Sequence, residues 1–264
     1  MTPPLTLTIS GSDSSGGAGV QGDLKVFAAL RAYGVSVLTA VTAQNTRGVR
    51  DVYPLPGNVV AAQLNAVLED LPPAATKVGM LATAEVAAAV CAKARAGLLP
   101  NLVLDPVLDS STGRRLGVVA AIERLMPYAV LATPNRSEAS ALLGWEVATP
   151  ADMAGAAAQL ASAGPKYVVV TGGDLVAGEE AVDAMWTDAG ARFLRGLRVS
   201  TRNNRGTGSA FSAAIAARLA LGDPIPEAIV YAKAYVGRAL GGARGWQVGN
   251  GHGPLDHLGW SSWF

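Results

Sequence analysis

The chain has 264 residues, half of them hydrophobic, with 21 basic and 20 acidic side chains and a net charge of +1. That length fits one large α/β domain or two small ones and supplies a sizeable core. The even charge leaves no electrostatic footprint for nucleic acid or an anionic membrane, Cys91 alone excludes an internal disulfide, and His252 and His257 offer little for a zinc site.

The first residues, MTPPLTLTIS, lack the basic start and long apolar core of a secretory signal, and no apolar run is long enough to span a bilayer. The cytoplasm is the expected compartment. Leu5 to Ile9 reads as a short strand that runs into a glycine-rich loop, Ser10 to Gly19. Leu24, Phe27, Ala28 and Leu30 recur at helical spacing between Gln21 and Ala32, and Tyr33-Gly34 stops that helix. Ser36 to Val41 is a second strand, followed by a polar turn, Gln44 to Gly48. Val59 to Leu68 reads as helix, Thr76 to Met80 as a strand end, Ala84 to Ala96 as an alanine-rich helix, and Leu102 to Leu104 as a strand ending at Asp105-Pro106. A helix over Val118 to Leu125 and a strand over Ala129 to Leu131 lead to Thr133-Pro134-Asn135. Thr149-Pro150 places a cap and a first-turn proline ahead of a helix reaching about Ala163. Tyr167 to Val170 is a strand ending at Thr171-Gly172-Gly173-Asp174, and a hairpin turns around Asp188-Ala189-Gly190. Two helices close the pattern, one after Gly208 and one from about Pro226 to Leu240.

Alternating short apolar strands and helices suit a mostly parallel sheet covered on both faces. No linker, repeat or low-complexity tail breaks the pattern, so one domain is expected. In open α/β sheets ligands bind beyond the carboxyl ends of the strands. That rule gathers the Ser10–Gly19 loop, Gln44, Gly79-Met80, Asp105, Asn135 and Gly172-Gly173 around one crevice. The turn Asn204-Arg205-Gly206-Thr207-Gly208-Ser209 completes it. From Ala210 to Leu221 the residues are small or apolar, with Arg218 the only charge, so this turn opens a well-buried helix. The first N–H groups of such a helix lack partners within it and carry partial positive charge, which suits an anion such as phosphate. The same residues also read as an ordinary cap.

The opening block Ser10 to Lys25 resembles that of the hydroxymethylpyrimidine/phosphomethylpyrimidine kinases of thiamine biosynthesis, members of the ribokinase-like superfamily. The blocks Ala32-Tyr33-Gly34, Thr42 to Thr46, Lys77 to Leu81, Asp105-Pro106-Val107 and Thr133-Pro134-Asn135 with Glu138 resemble later blocks of the family, as do Gly206-Thr207-Gly208 and the tail around Gly251 to Pro254 with His257. The likeness runs along almost the whole chain in order. It implies an α/β, ribokinase-like three-layer αβα sandwich with a mostly parallel central sheet. It implies a kinase that uses ATP and Mg²⁺ to phosphorylate 4-amino-5-hydroxymethyl-2-methylpyrimidine and then its monophosphate. A homodimer is expected, with small-molecule partners and neither nucleic acid nor membrane.

Site residues follow from the same likeness. The Gly206-Thr207-Gly208-Ser209 turn becomes the catalytic element. Gly11, Asp23, Gln44, Met80 and Val107 become substrate contacts, and the Gln44 carboxamide offers a donor and an acceptor that match an aminopyrimidine edge. Asn135, Glu138, Thr171, Gly173 and Arg205 become nucleotide contacts, and Asp105 with Glu138 the Mg²⁺ carboxylates. By themselves these residues also read as a solvated turn glutamine, plain core at Met80 and Val107, first-turn acids at Asp23 and Glu138, and a pre-proline turn at Asp105. Two stretches depart from the family. Its usual Thr-His-Gly-Thr-Gly-Cys is here Asn204-Arg205-Gly206-Thr207-Gly208-Ser209, so serine replaces the cysteine assigned to the reacting hydroxyl and Arg205 replaces histidine. A lysine before the Gly-Gly is here Thr171. A serine hydroxyl needs an activating neighbour to act as a base, and Arg205 is a cation near the same anion site. Two alternatives remain: a pyridoxal or pyridoxine kinase, and a catalytically weak pyrimidine-binding protein.

Overall fold

In the computed structural model, which describes residues 2–109, 113, 116–175 and 178–262, the apolar strands line up as one nine-stranded sheet in the order β3-β2-β1-β4-β5-β6-β7-β8-β9. The strands are β1 (Leu5–Asp13), β2 (Tyr33–Asn45), β3 (Gly48–Pro54), β4 (Ala75–Val78), β5 (Leu102–Leu104), β6 (Leu131–Ala132), β7 (Tyr167–Val170), β8 (Glu180–Thr187) and β9 (Gly190–Leu197). The central six, β2-β1-β4-β5-β6-β7, are parallel. The edges β2–β3 and β7–β8–β9 are antiparallel.

The helices are α1 (Gly19–Ala29), α2 (Gly57–Asp70), α3 (Ala84–Arg95), α4 (Val119–Leu125), α5 (Arg136–Leu143), α6 (Pro150–Ala161), α7 (Thr207–Ala220) and α8 (Ile225–Gly242). They form two layers, because successive strand residues point to opposite faces. In β5, Leu102 and Leu104 join a core with α2, α3, α4 and α6, while Val103 joins a core with α1, α7 and α8. Among the described residues no helix is long and apolar enough to cross a membrane.

The strands β5 and β7 fall where the sequence places them. Others differ for physical reasons. β1 continues through Ser10-Gly11-Ser12 to Asp13, with a register shift between Ser10 and Ser12 against β2. Its glycine and serines therefore lie on the sheet, and the loop begins only at Ser14. Gln44 likewise belongs to β2, not to a turn, and sits at a register shift against β3. β3 itself is hard to see in the sequence, since its residues are half-buried or exposed at the sheet edge and show no clean apolar alternation. The eight-residue α5 begins where Glu138 reads as a first-turn acid, and Asn135 and Glu138 form a reciprocal capping box there.

The C-terminal tail folds back onto α1 and α8. The Tyr235 hydroxyl donates to the His257 carbonyl at 2.6 Å, and His257 is buried with no partner for Nε2 among the described residues. Burial, helped by the nearby Lys25 charge, pushes its imidazole pKa down to about 4 from an ordinary value near 6.5. A base with a depressed native pKa lends stability that is present above the unfolded value and is lost as pH falls toward the native one. The loss is on the order of 3 kcal/mol between pH 7 and pH 4. His257→Asn, which does not titrate, should lower the melting temperature at pH 7 yet flatten its fall between pH 6.5 and 4. Thermal melts of both proteins across that window check this, and parallel curves would exclude His257 as the titrating group.

Candidate active site

Six strands present their carboxyl ends to one side of the sheet, and there a cleft of about 1640 Å³ opens. That exceeds the several hundred to roughly 1,000 Å³ typical of one small-ligand site, and leaves room for two ligands side by side. Gly11, Gln44, Met80, Val107, Asp105, Asn135, Glu138, Thr171, Gly173, Arg205 and the whole Gly206–Ser209 turn line this one cleft. Asp23 does not. It is fully buried on α1. Its carboxylate is taken up by protein donors.

Those donors form a buried ionic cluster. Lys77 sits near the end of β4 on the face covered by α1 and α7. Its ammonium donates to Asp23 Oδ2 at 2.9 Å and to Oδ1 at 3.1 Å, lies 3.3 Å from Asp105 Oδ2, and donates to Ser209 Oγ at 3.1 Å. Thr8 of β1 donates to Asp23 Oδ2 at 2.6 Å, and Ser209 donates to Asp23 Oδ1 at 2.8 Å. Ser212, one turn along α7, donates to Asp105 Oδ2 at 3.1 Å. Burial alone would lower the Lys77 pKa, but the charges of Asp23 and Asp105 outweigh it and hold the ammonium above its ordinary value. Burial pushes the Asp105 pKa up, against the pull of Lys77. Lys77 and Ser212 were not singled out from sequence. A lysine within a four-residue, fully buried strand is the signal that was available, because an unpaired buried charge is too costly to keep.

The glycine-rich loop is organised by Asp13. One oxygen accepts the Ser15 amide at 2.9 Å and hydroxyl at 2.7 Å, and the other accepts the Ala18 amide at 3.0 Å. Arg205 reaches the same carboxylate with Nε at 3.4 Å, and its Nη1 is buried without a partner among the described residues. The loop thereby packs on the start of α7. Gly206 caps that helix with φ +83°, and a Cβ there would strike the Gly17 carbonyl. Gly208, in the first turn, differs: a Cβ there would meet nothing. The first amides of α7 thus remain open to an anion.

Across the cleft, Glu138 accepts the Asn135 amide at 2.8 Å, while the Asn135 side chain accepts the Glu138 amide at 2.9 Å. Burial, with the Asp105 charge adding to it, pushes the Glu138 pKa up to about 8. Thr171 pairs with Asn135 in an isolated parallel bridge. Beside it stands a cation that no local pattern reveals. Lys233 of α8 donates to Asp183 Oδ2 at 2.6 Å, and Asp183 Oδ1 accepts the Gly172 amide at 3.0 Å.

Solved structures share this architecture. The pyridoxal kinase from Staphylococcus aureus, in complex with AMP-PCP and pyridoxal, superposes with a TM-score of 0.89 at 33% identity, over 98% of this chain and 95% of that one. The phosphomethylpyrimidine kinase from Clostridium difficile superposes with a TM-score of 0.78 at 38% identity, over 90% of this chain and 99% of that one. Fold and site together define a small-molecule kinase of the ribokinase-like class. The family model for phosphomethylpyrimidine kinase matches residues 13–256, and the hydroxymethylpyrimidine/phosphomethylpyrimidine kinase of Streptomyces coelicolor is 43% identical over 99% of this chain and 96% of its own. This chain belongs to the phosphomethylpyrimidine kinase family.

The two glycines of the α7 turn separate fold from chemistry. Gly208→Val should melt within a few degrees of the parent, since its side chain enters empty cleft, yet lose phosphoryl transfer by about 10²-fold or more. Gly206→Ala should lower the melting temperature as well, because it displaces the glycine loop. Melting curves with turnover assays compare them; parent-like turnover by Gly208→Val would remove the turn from the anion site.

Proposed function

We propose that this chain transfers the γ-phosphoryl group of ATP to the hydroxymethyl oxygen of 4-amino-5-hydroxymethyl-2-methylpyrimidine, and a second group to the resulting monophosphate. The observation that carries this is the division of one cleft around Ser209. Gln44, Met80 and Val107 line the wall on the β1–β2 and β5 side, and Asn135, Thr171, Gly173 and Lys233 line the far side. The open amides of α7 lie between them. A pyrimidine alcohol on the first wall and a nucleotide on the second would meet at those amides.

Phosphoryl transfer needs chiefly positioning and charge stabilisation. The α7 amides and their partial positive charge suit the transferring group. Lys233 stands beside the end of β7, where Thr171 carries no charge, and, although paired with Asp183 at 2.6 Å, is the candidate replacement for the absent cation. Arg205 is committed to Asp13 and steadies the glycine loop. The Met80 methyl fills the space that a Cβ at Gly11 would take, and both residues line the cleft. The Thr42 hydroxyl donates to the Ser12 carbonyl at 2.8 Å and lies 3.2 Å from Gln44 Oε1, which leaves the carboxamide with an NH₂ group and an acceptor oxygen to present along one edge.

Mg²⁺ fits the acidic side of the cleft. Asp105 and Glu138 are buried carboxylates, and Glu138 lies in the negative field of Asp105. A divalent cation between them would relieve that repulsion. Among the described residues no cluster of three or more acidic, histidine or cysteine ligands could hold a metal. One or two carboxylates completed by water and phosphate oxygens are the usual Mg²⁺ set. Bound there, the ion would neutralise phosphate charge.

A second reading, pyridoxal kinase, is favoured by the likeness to the Staphylococcus aureus enzyme. A product assay with purified protein, Mg-ATP and the pyrimidine, its monophosphate or pyridoxal separates the two. Phosphorylation of both pyrimidines above pyridoxal is expected; phosphorylation of pyridoxal alone would reverse the assignment. Gln44→Ala should weaken pyrimidine binding by about 1–3 kcal/mol, roughly 5- to 150-fold, by leaving a ring edge unpaired. Nucleotide affinity should stay at the parent value. Calorimetric titration of each ligand reads both, and an unchanged pyrimidine affinity would take Gln44 out of the site.

A further inference from the structure

The serine that replaces the family's cysteine is not alone. Its Oγ has one hydrogen and two lone pairs. The hydrogen is donated to Asp23 at 2.8 Å, and one lone pair accepts from Lys77 at 3.1 Å. Among the described residues nothing else bonds this oxygen, and Ser209 faces the cleft. Its second lone pair is therefore open to a donor from the cleft side. Asp23 lies behind it, fully buried, and accepts from Thr8, Lys77 and Ser209. All three partners donate, the pattern of a carboxylate that only accepts.

We propose that Ser209 and Asp23 form a proton relay for the acceptor alcohol, with Lys77 as the positioning residue that holds both in line. The relay rests on the kinase reading above. The alcohol donates its O–H to the free lone pair of Ser209 Oγ. As the alcohol oxygen bonds to the γ-phosphorus, the bond from that phosphorus to the β–γ bridging oxygen breaks, and its electron pair leaves on ADP. The alcohol proton passes to Ser209 Oγ, the serine's own proton passes to Asp23 Oδ1, and the carboxylate ends as a carboxylic acid. The reverse path returns the proton to solvent through the open cleft after product leaves. Ser209 touches the reacting hydroxyl; Asp23 acts only through it. A serine with no partner is a poor base, whereas one backed by a buried carboxylate needs no lowered pKa of its own.

The relay makes a distinction between the two phosphorylations. The alcohol must lose a proton. The monophosphate offers a phosphate oxygen whose second proton is lost near pH 6, so at pH 8 it attacks without a base. Damage to the relay should fall on the first step and spare the second, while damage to folding or nucleotide binding falls on both.

The experiment measures single-turnover rates at pH 8 for the pyrimidine alcohol and for its monophosphate. Ser209→Ala and Asp23→Asn should each slow the alcohol step by about 10²-fold, the low end for a positioned base because a loose transition state keeps its proton late. Each should slow the monophosphate step by less than about threefold. The double variant should be no slower than the slower single, as expected for groups acting in one chain. Asp23→Asn leaves Lys77 short of a partner in the core and is the variant at risk of misfolding. The parent itself supplies a second measurement: its alcohol step in H₂O/D₂O mixtures should depend on the square of the deuterium fraction, two protons moving together. A linear dependence, an equal loss of both steps, or an unchanged alcohol rate in Ser209→Ala would each overturn the relay while leaving the kinase reading in place. A parent that phosphorylates neither substrate would overturn both.

Discussion

The structure depends on one buried ammonium. Lys77 has no exposed side-chain surface, and it touches Asp23 of α1, Asp105 at the end of β5, and Ser209 of α7. Taking three charges out of water costs several kcal/mol each unless they are paired and hydrogen-bonded. Here every partner is another member of the cluster or a hydroxyl from Thr8 or Ser212. Removing Lys77 would leave two buried carboxylates without a counter-charge, at a cost of about 3–5 kcal/mol. The cluster therefore ties the middle of the sheet to the start of α7, the proposed anion site. Geometry at Ser209 is set by the core and not by a mobile loop.

From that anchor the cleft divides into fixed and open parts. The glycine loop is fixed, held by Asp13 from within and by Arg205 and the close approach of Gly206 from α7. The capping box of α5 fixes Asn135 and Glu138. Gly208 and Gly173 leave open space where a side chain would stand. The side chains of Asp13 and Asn135 are bonded to backbone amides, whereas Gly208 and Gly173 put no side chain into the cleft. The departures from the family pattern fit this division. Ser209 keeps two buried partners that a serine can use, and Lys233 from α8 stands near the place where Thr171 lacks a charge.

Most of the architecture was legible in the sequence. Short apolar strands alternating with helices specify a parallel sheet covered twice, and the rule for strand ends then gathers Gly11, Gln44, Met80, Asp105, Asn135 and Gly173 without any coordinates. The sequence was less informative where periodicity is weak. β3 is a half-exposed edge strand, and β1 runs on through a Gly-Ser stretch that reads as loop. Asp23 shows the deeper limit. Its place near the start of α1 was evident, but a helix start has several faces, and only packing decided that this carboxylate points inward.

The sequence by itself determined the fold class, the family, the strand ends that frame the cleft, and the glycine turn before α7, because each is a local pattern of a few consecutive residues. Tertiary structure alone decided which charges meet. Lys77 and Asp23 are 54 positions apart, Lys77 and Ser209 132, Ser209 and Asp23 186, and Lys233 reaches Asp183 across 50. Nothing in the local sequence encodes such distances. They follow from the register of β1 against β4 and from the way α1 and α7 cross the same face of the sheet, so the chemistry of Ser209 is a property of the folded chain.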